Sequence, residues 1–210
     1  MAVPIAVDEP HIHHRDAHLL VVEKPHGLLT VPGRLPGNRD SVATRMQERF
    51  PQARIVHRLD QVTSGLLLLA LDAESQRALS MQFERREVQK RYVADVEGQP
   101  VQLAGEIALP LRCDWPNRPR QIVDPVAGKP SLTRWRVIRR DGPHCRMQLE
   151  PVTGRSHQLR VHLASIGHPI VGDVFYGAAE ATRVHLHAES LRFRHPASGE
   201  WMAFQSATPF

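Results

Sequence analysis

Residues 66–71, Leu-Leu-Leu-Leu-Ala-Leu, form an unbroken apolar run of six in a chain of 210 residues. A membrane helix needs about 20 such residues, so no bilayer crossing is expected from it. A run of six that follows turn-forming residues fits a strand buried on both faces. Such a strand needs neighbours, and the pattern supplies them. Residues 19–23 and 55–56 read as short strands. Tyr92, Ala94 and Val96 alternate with Arg91, Asp95 and Glu97, the period of two that marks a strand. Residues 132–138 and 145–149 form a pair around Asp141-Gly142-Pro143, and 186–193 and 201–205 form another around His195-Pro196 and Gly199.

Three segments read as helices. Residues 42–50 follow the cap Asp40-Ser41 and stop at Pro51, and residues 73–86 follow the cap Asp72. Residues 157–166 carry Leu159, Leu163 and Ile166 on one stripe and close at Gly167. Strands outnumber helices, and 17 Pro with 13 Gly argue against a helical bundle. The expected class is α+β: a mixed, mainly antiparallel sheet with a few flanking helices. Residues 1–15, with Pro4, Pro10, His11, His13 and His14, read as an irregular arm.

Charge points to a polyanionic partner. The formal charge is +5, and of the 27 basic residues only Lys24, Lys90 and Lys129 are lysines. Arginine's planar fork suits phosphate and base recognition better than an ammonium does, although a GC-rich genome also enriches arginine. Cys113 and Cys145 cannot form a disulfide framework or a C-x-x-C metal pattern. With no signal peptide at the N-terminus, the expectation is a cytoplasmic protein. There is no Walker loop, no G-x-G-x-x-G and no G-x-S-x-G elbow, so no cofactor is expected and Ser64 and Ser156 are poor nucleophiles.

Two clusters stand out. His57-Arg58-Leu59-Asp60-Gln61-Val62-Thr63-Ser64-Gly65 enters the apolar run, so the carboxylate of Asp60 sits on a loop anchored at the edge of the core. Alone, a loop Asp is usually a turn residue; here the gathering of His, Arg, Thr and Ser raises its interest. Thr153-Gly154-Arg155-Ser156-His157-Gln158-Leu159-Arg160-Val161-His162 opens a helix whose N-terminus suits an anion, and Arg160 beside the apolar stripe is expected to run along the surface. A partly buried arginine requires a carboxylate, and Asp60 is a candidate. The 13 histidines raise a metal alternative, with His185, His187 and Glu189 on one strand face, but none of the clusters has H-E-x-x-H spacing. No metal is expected.

The motif His57-Arg58-Leu59-Asp60-x-x-Thr63-Ser64-Gly65-Leu66-Leu67 resembles the active-site signature of the RluA-type pseudouridine synthases. Further matches follow in the family's order. Glu23-Lys24-Pro25-x-Gly27-Leu28 is similar to its first motif, where Asn or Asp is commoner at the Glu23 position. Lys90-Arg91-Tyr92-Val93-Ala94 with Gly98, the Thr153–162 segment, His168-Pro169-Ile170, Gly172-Asp173, Tyr176-Gly177 and His187-Ala188 continue the likeness. Val31-Pro32-Gly33-Arg34 and Cys113-Asp114-Trp115-Pro116-Asn117-Arg118-Pro119 resemble the dual-specificity subgroup, which modifies stem-loops of 23S ribosomal RNA and of tRNA anticodons.

The resemblance implies one catalytic domain over residues 1–210 without an S4-type domain, and structured RNA as partner. It implies Asp60 as the central catalytic carboxylate, Arg160 as its salt-bridge partner and Tyr92 stacked on the target base. It also implies that Arg58 enters the RNA as the uridine flips out. RNA contacts are expected as well from His57, Thr63, Arg118 and Arg155, with Arg112 and Arg120 as further basic positions. A monomer is expected, since no heptad or apolar interface stripe is present. The rivals are a non-catalytic RNA-binding or ribosome-assembly protein of the same fold and a histidine-based metallohydrolase.

Overall fold

The computed structural model describes residues 7–210. Along the chain these form β1 (His11–Arg15), β2 (Leu19–Lys24), α1 (Val42–Arg49), β3 (Arg54–Ile55), β4 (Ser64–Ala70), α2 (Ala73–Glu84) and β5 (Gln89–Glu97). There follow β6 (Ala104–Ile107), β7 (Leu111–Cys113), β8 (Gln121–Val123), β9 (Thr133–Asp141), β10 (His144–Pro151), α3 (Gln158–Ser165), β11 (Leu186–Arg194) and β12 (Trp201–Gln205). The α+β class with mainly antiparallel pairing is what the pattern predicted. No helix among the described residues is long and apolar enough to cross a membrane.

The residues fall into two units. The first takes the chain up to Gln89 together with Ala188–Ala207; the second takes Lys90–His187 with Thr208–Phe210. In the first, strands run in the order β1-β2-β4-β11, with β3 on β4 and β12 on β11. The run predicted from residues 66–71 is β4, buried along its whole length. Leu66, Leu68 and Ala70 pack with Leu79 of α2 and with Leu191 and Phe193 of β11, while Leu67 and Leu69 on the other face are equally buried. Gly65 is required at its start: a Cβ there would lie 2.4 Å from the Ala188 carbonyl oxygen, at a φ of +112°. Ser41 closes a capping box on α1, and Asp72 accepts the Ser75 N–H at 2.7 Å to cap α2, each cap contributing about 1 kcal/mol.

The expected irregular arm needs correction. Residues 1–6 lie outside the described residues, but His11–Arg15 is a strand paired antiparallel with β2. Its polar composition hides it, because the stabilisation comes from pairing with an apolar neighbour. Asp16 turns the chain between the two by accepting the N–H groups of His18 and Leu19.

The second unit orders its sheet β5-β10-β9-β6, with β7 and β8 as a separate hairpin. The predicted pair around Asp141-Gly142-Pro143 is the β9–β10 hairpin. Helix α3 packs on β8, β9 and β10. It is not the amphipathic helix expected: Gln158 through Leu163 are all buried. Such a helix must satisfy its polar side chains internally. His162 Nδ1 meets the Thr133 hydroxyl at 2.9 Å, and Nε2 meets the Leu109 carbonyl at 3.0 Å, which fixes Nε2 as the donor. Burial lowers the pKa of His162, outweighing the carbonyl's upward pull.

A lowered pKa means that the unfolded chain takes up a proton which the folded chain refuses. The contribution of His162 to stability is therefore complete above its unfolded pKa, about 6.5, and declines as pH falls below that value. Melting curves of wild type and His162→Gln should show wild type losing its advantage between pH 8 and pH 5.5; a gap independent of pH would contradict this.

Candidate active site

The first unit holds Asp60 on a loop tied down at nearly every residue. His57 Nε2 accepts the Leu68 N–H at 3.0 Å, and the ring stacks on Phe83 at 4.3 Å between centroids. Leu59 is buried, its carbonyl accepting the Thr30 hydroxyl at 2.8 Å. The Asp60 carbonyl accepts the Thr63 N–H at 3.0 Å, closing a tight turn that leaves Asp60 half-buried. Alternation then puts Arg58 outside, exposed, between inward His57 and Leu59.

Lys24 locks this turn. The residue is 0% exposed, and its ammonium donates to the carbonyls of Pro25 at 2.8 Å, Leu28 at 2.7 Å and Gln61 at 3.0 Å. Register places Lys24 opposite Gly65, so the loops leaving β2 and entering β4 emerge side by side. The Gln61 carbonyl also takes the Gly27 N–H at 2.9 Å. The Glu23-to-Leu28 and His57-to-Gly65 motifs are thus one hydrogen-bonded structure. Sequence reasoning named both motifs but missed their link. The signal was a lysine ending a strand that opens with four apolar residues.

The second unit holds Tyr92 and Arg160. Tyr92 lies half-buried on β5, in register with Leu149 of β10. Arg160 was expected to run along the surface, but it is 5% exposed. Asp173 explains the burial: it accepts Nε at 2.6 Å and Nη2 at 2.8 Å in a two-pronged pair. The Tyr176 ring lies 4.9 Å from the guanidinium carbon, and its hydroxyl meets His157 Nδ1 at 2.7 Å. His157 itself takes a left-handed conformation, φ 52°, where the chain turns into α3.

Other candidates divide by exposure. Thr63 is 2% exposed and supports the turn from beneath. Arg155 is exposed, but its N–H goes to Gln158 Oε1 at 3.0 Å, so the helix entrance spends that donor internally. Arg118 is exposed on the β7–β8 hairpin, and Arg112 is ion-paired with Asp124. His185 Nδ1 meets Asp95 at 3.1 Å and its ring stacks on Phe210. Among the described residues no three His, Cys, Asp or Glu side chains stand where they could share a metal ion.

Known proteins match these features. A family model described as RNA pseudouridylate synthase matches residues 18–165. The dual-specificity RNA pseudouridine synthase RluA of Escherichia coli (strain K12) is 50% identical over 204 residues, covering 95% of this chain and 93% of that protein. Its counterpart in Yersinia pestis is 50% identical over 202 residues, covering 94% and 98%. Among solved structures, human RNA Pseudouridylate Synthase Domain Containing 1 has a TM-score of 0.81 at 31% identity, covering 100% of this chain and 87% of that one. Human RNA Pseudouridylate Synthase Domain Containing 4 has a TM-score of 0.75 at 26% identity, covering 95% and 88%.

Breaking a buried ion pair leaves an uncompensated charge and costs about 3–5 kcal/mol. Asp173→Ala should therefore lower unfolding free energy by about 3 kcal/mol, measured by urea denaturation. A change under about 1 kcal/mol, the worth of an exposed pair, would show that Arg160 does not depend on Asp173.

Proposed function

Because the chain belongs to the RNA pseudouridylate synthase family and is an enzyme that isomerises uridine in RNA, we propose that it acts on stem-loops of both 23S ribosomal RNA and tRNA anticodons, with Asp60 as the catalytic carboxylate. The observation that carries this is the Asp60 turn: a carboxylate on a loop locked by Lys24, beside an outward Arg58. That two kinds of RNA are modified rests on the names of the RluA relatives, each a dual-specificity enzyme covering nearly the whole chain; the 23S and tRNA stem-loops are what the resemblance to that subgroup implies.

The reaction breaks the N1–C1′ glycosidic bond, turns the base and joins C5 to the same ribose carbon, with the C5 proton lost and a proton taken up at N1, so the product is an isomer. It is redox-neutral and needs no group donor. In every route open to the carboxylate, attack at the ribose, addition to the base or removal of a ribose proton, Asp60 must be ionised. Arg160 stands at the position that the family resemblance gives to this carboxylate's salt-bridge partner. Tyr92 stacks on the target base, and its hydroxyl assists departure of the C5 proton.

A uridine inside a stem-loop must first leave its stack, which costs a few kcal/mol. Arg58 enters the space left behind, its guanidinium plane stacking where the base was. Arg118 and Arg155 hold the RNA backbone. His57 and Thr63 act from below, keeping the turn in shape. The protein works as a cytoplasmic monomer.

The test uses purified protein, the two isolated stem-loops and nucleoside analysis of the products. Pseudouridine should form in both RNAs; product in only one would overturn the dual specificity. Arg58→Ala should slow reaction on a structured stem-loop about 10- to 100-fold more than on an unpaired uridine, reflecting the flipping cost. Equal losses on both RNAs would remove the flipping role.

A further inference from the structure

The β7–β8 hairpin carries a tryptophan that the protein itself does not bury. Trp115 is 64% exposed, whereas Trp135 is 7% exposed in the sheet. Leaving an indole in water forgoes the large gain that burial brings, so its place needs a reason. Nothing about the turn is loose. The Asn117 N–H donates to the Asp114 carbonyl at 3.0 Å, and its side-chain amide to Asp114 Oδ2 at 2.9 Å. The Arg120 N–H donates to the Asn117 carbonyl at 3.0 Å, and the Asp114 N–H to the Arg120 carbonyl at 2.9 Å.

Arg118 then fixes the ring. Its Nε donates to the Trp115 carbonyl at 3.1 Å, and its guanidinium carbon lies 4.5 Å from the ring centroid. One face of the indole is backed by a cation, and the other faces solvent. The hairpin is also fastened to the Arg160 cluster of its own unit. The Gln121 N–H donates to the Tyr176 hydroxyl at 3.0 Å, the same hydroxyl that meets His157. A rigid aromatic plane, cation-backed and joined by a hydrogen bond to the surroundings of Arg160, suits a nucleobase better than an apolar side chain. A base offers a π-face, and its phosphate suits the neighbouring guanidinium.

We propose that Trp115, backed by Arg118, is a stacking platform for an unpaired base of the substrate RNA that flanks the target uridine, and that it helps determine which RNAs are modified. This rests on the protein modifying stem-loop RNA. The two readings fail differently, since wild-type protein without pseudouridine formation defeats the broader one, and only an active wild type tests this one.

The experiment compares wild type, Trp115→Ala, Trp115→Leu and Trp115→Phe by steady-state kinetics on a stem-loop substrate, with circular dichroism to verify folding. Loss of one base stack predicts a KM about 5- to 100-fold higher for Trp115→Ala, with kcat at saturating RNA unchanged. Trp115→Phe keeps a ring and should recover most of the affinity; Trp115→Leu keeps apolar area and should not. Intrinsic fluorescence should be quenched by RNA in wild type, and that quenching should be lost in Trp115→Ala. An unchanged KM for folded Trp115→Ala overturns the proposal, and so does recovery by Leu equal to that by Phe.

Discussion

The ammonium of Lys24 is the interaction on which the first unit's chemistry depends. A fully buried cation is tolerable only when its donors are met, and three carbonyls meet them. Two of those carbonyls belong to the Lys24 loop and the third to Gln61, one residue past Asp60. The ammonium therefore converts two loops into one. Beneath them β4 is buried on both faces and Gly65 touches the Ala188 backbone, so the floor of the site cannot shift without disturbing the core. Flexible loops commonly carry active sites. Here the carboxylate gains precision from being held by the core.

The second unit solves the same problem with opposite chemistry. Its buried cation, Arg160, is met by a carboxylate and walled by an aromatic ring. Asp173 takes two of its N–H donors and fixes the guanidinium plane. Tyr176 then passes rigidity outward, through His157 to the start of α3 and through Gln121 to the hairpin bearing Trp115. Arginine and lysine are not interchangeable in these places. A planar fork suits a two-pronged pair, and a compact ammonium suits three converging carbonyls.

Much of this was legible along the chain, for reasons specific to each element. The β4 run, the α2 cap at Asp72 and the β9–β10 turn all express local physics: apolar length, a side chain that competes for backbone N–H groups, and Gly-Pro at a bend. Strand β1 and the β6–β8 segments were missed because their residues are polar or few, and their pairing energy resides in neighbours far along the chain. The Asp60 and Arg160 motifs were visible as strings. Their supports were not, since the burial of Lys24, the Asp173 pair and the inward placement of Thr63 arise only once distant segments meet. Arg160 is the instructive case: the need for a carboxylate was readable, and the Asp173 that supplies one here stood in a quoted motif without being recognised as its partner.

In the proposed reaction the Lys24-locked turn presents Asp60 as the group without which uridine is not isomerised. The direct measurement is pseudouridine formation by purified Asp60→Ala on a stem-loop that wild type modifies, alongside RNA affinity of both proteins. Asp60→Ala should keep its RNA affinity and form no pseudouridine even after long incubation. Pseudouridine formed by Asp60→Ala at the wild-type rate would contradict it.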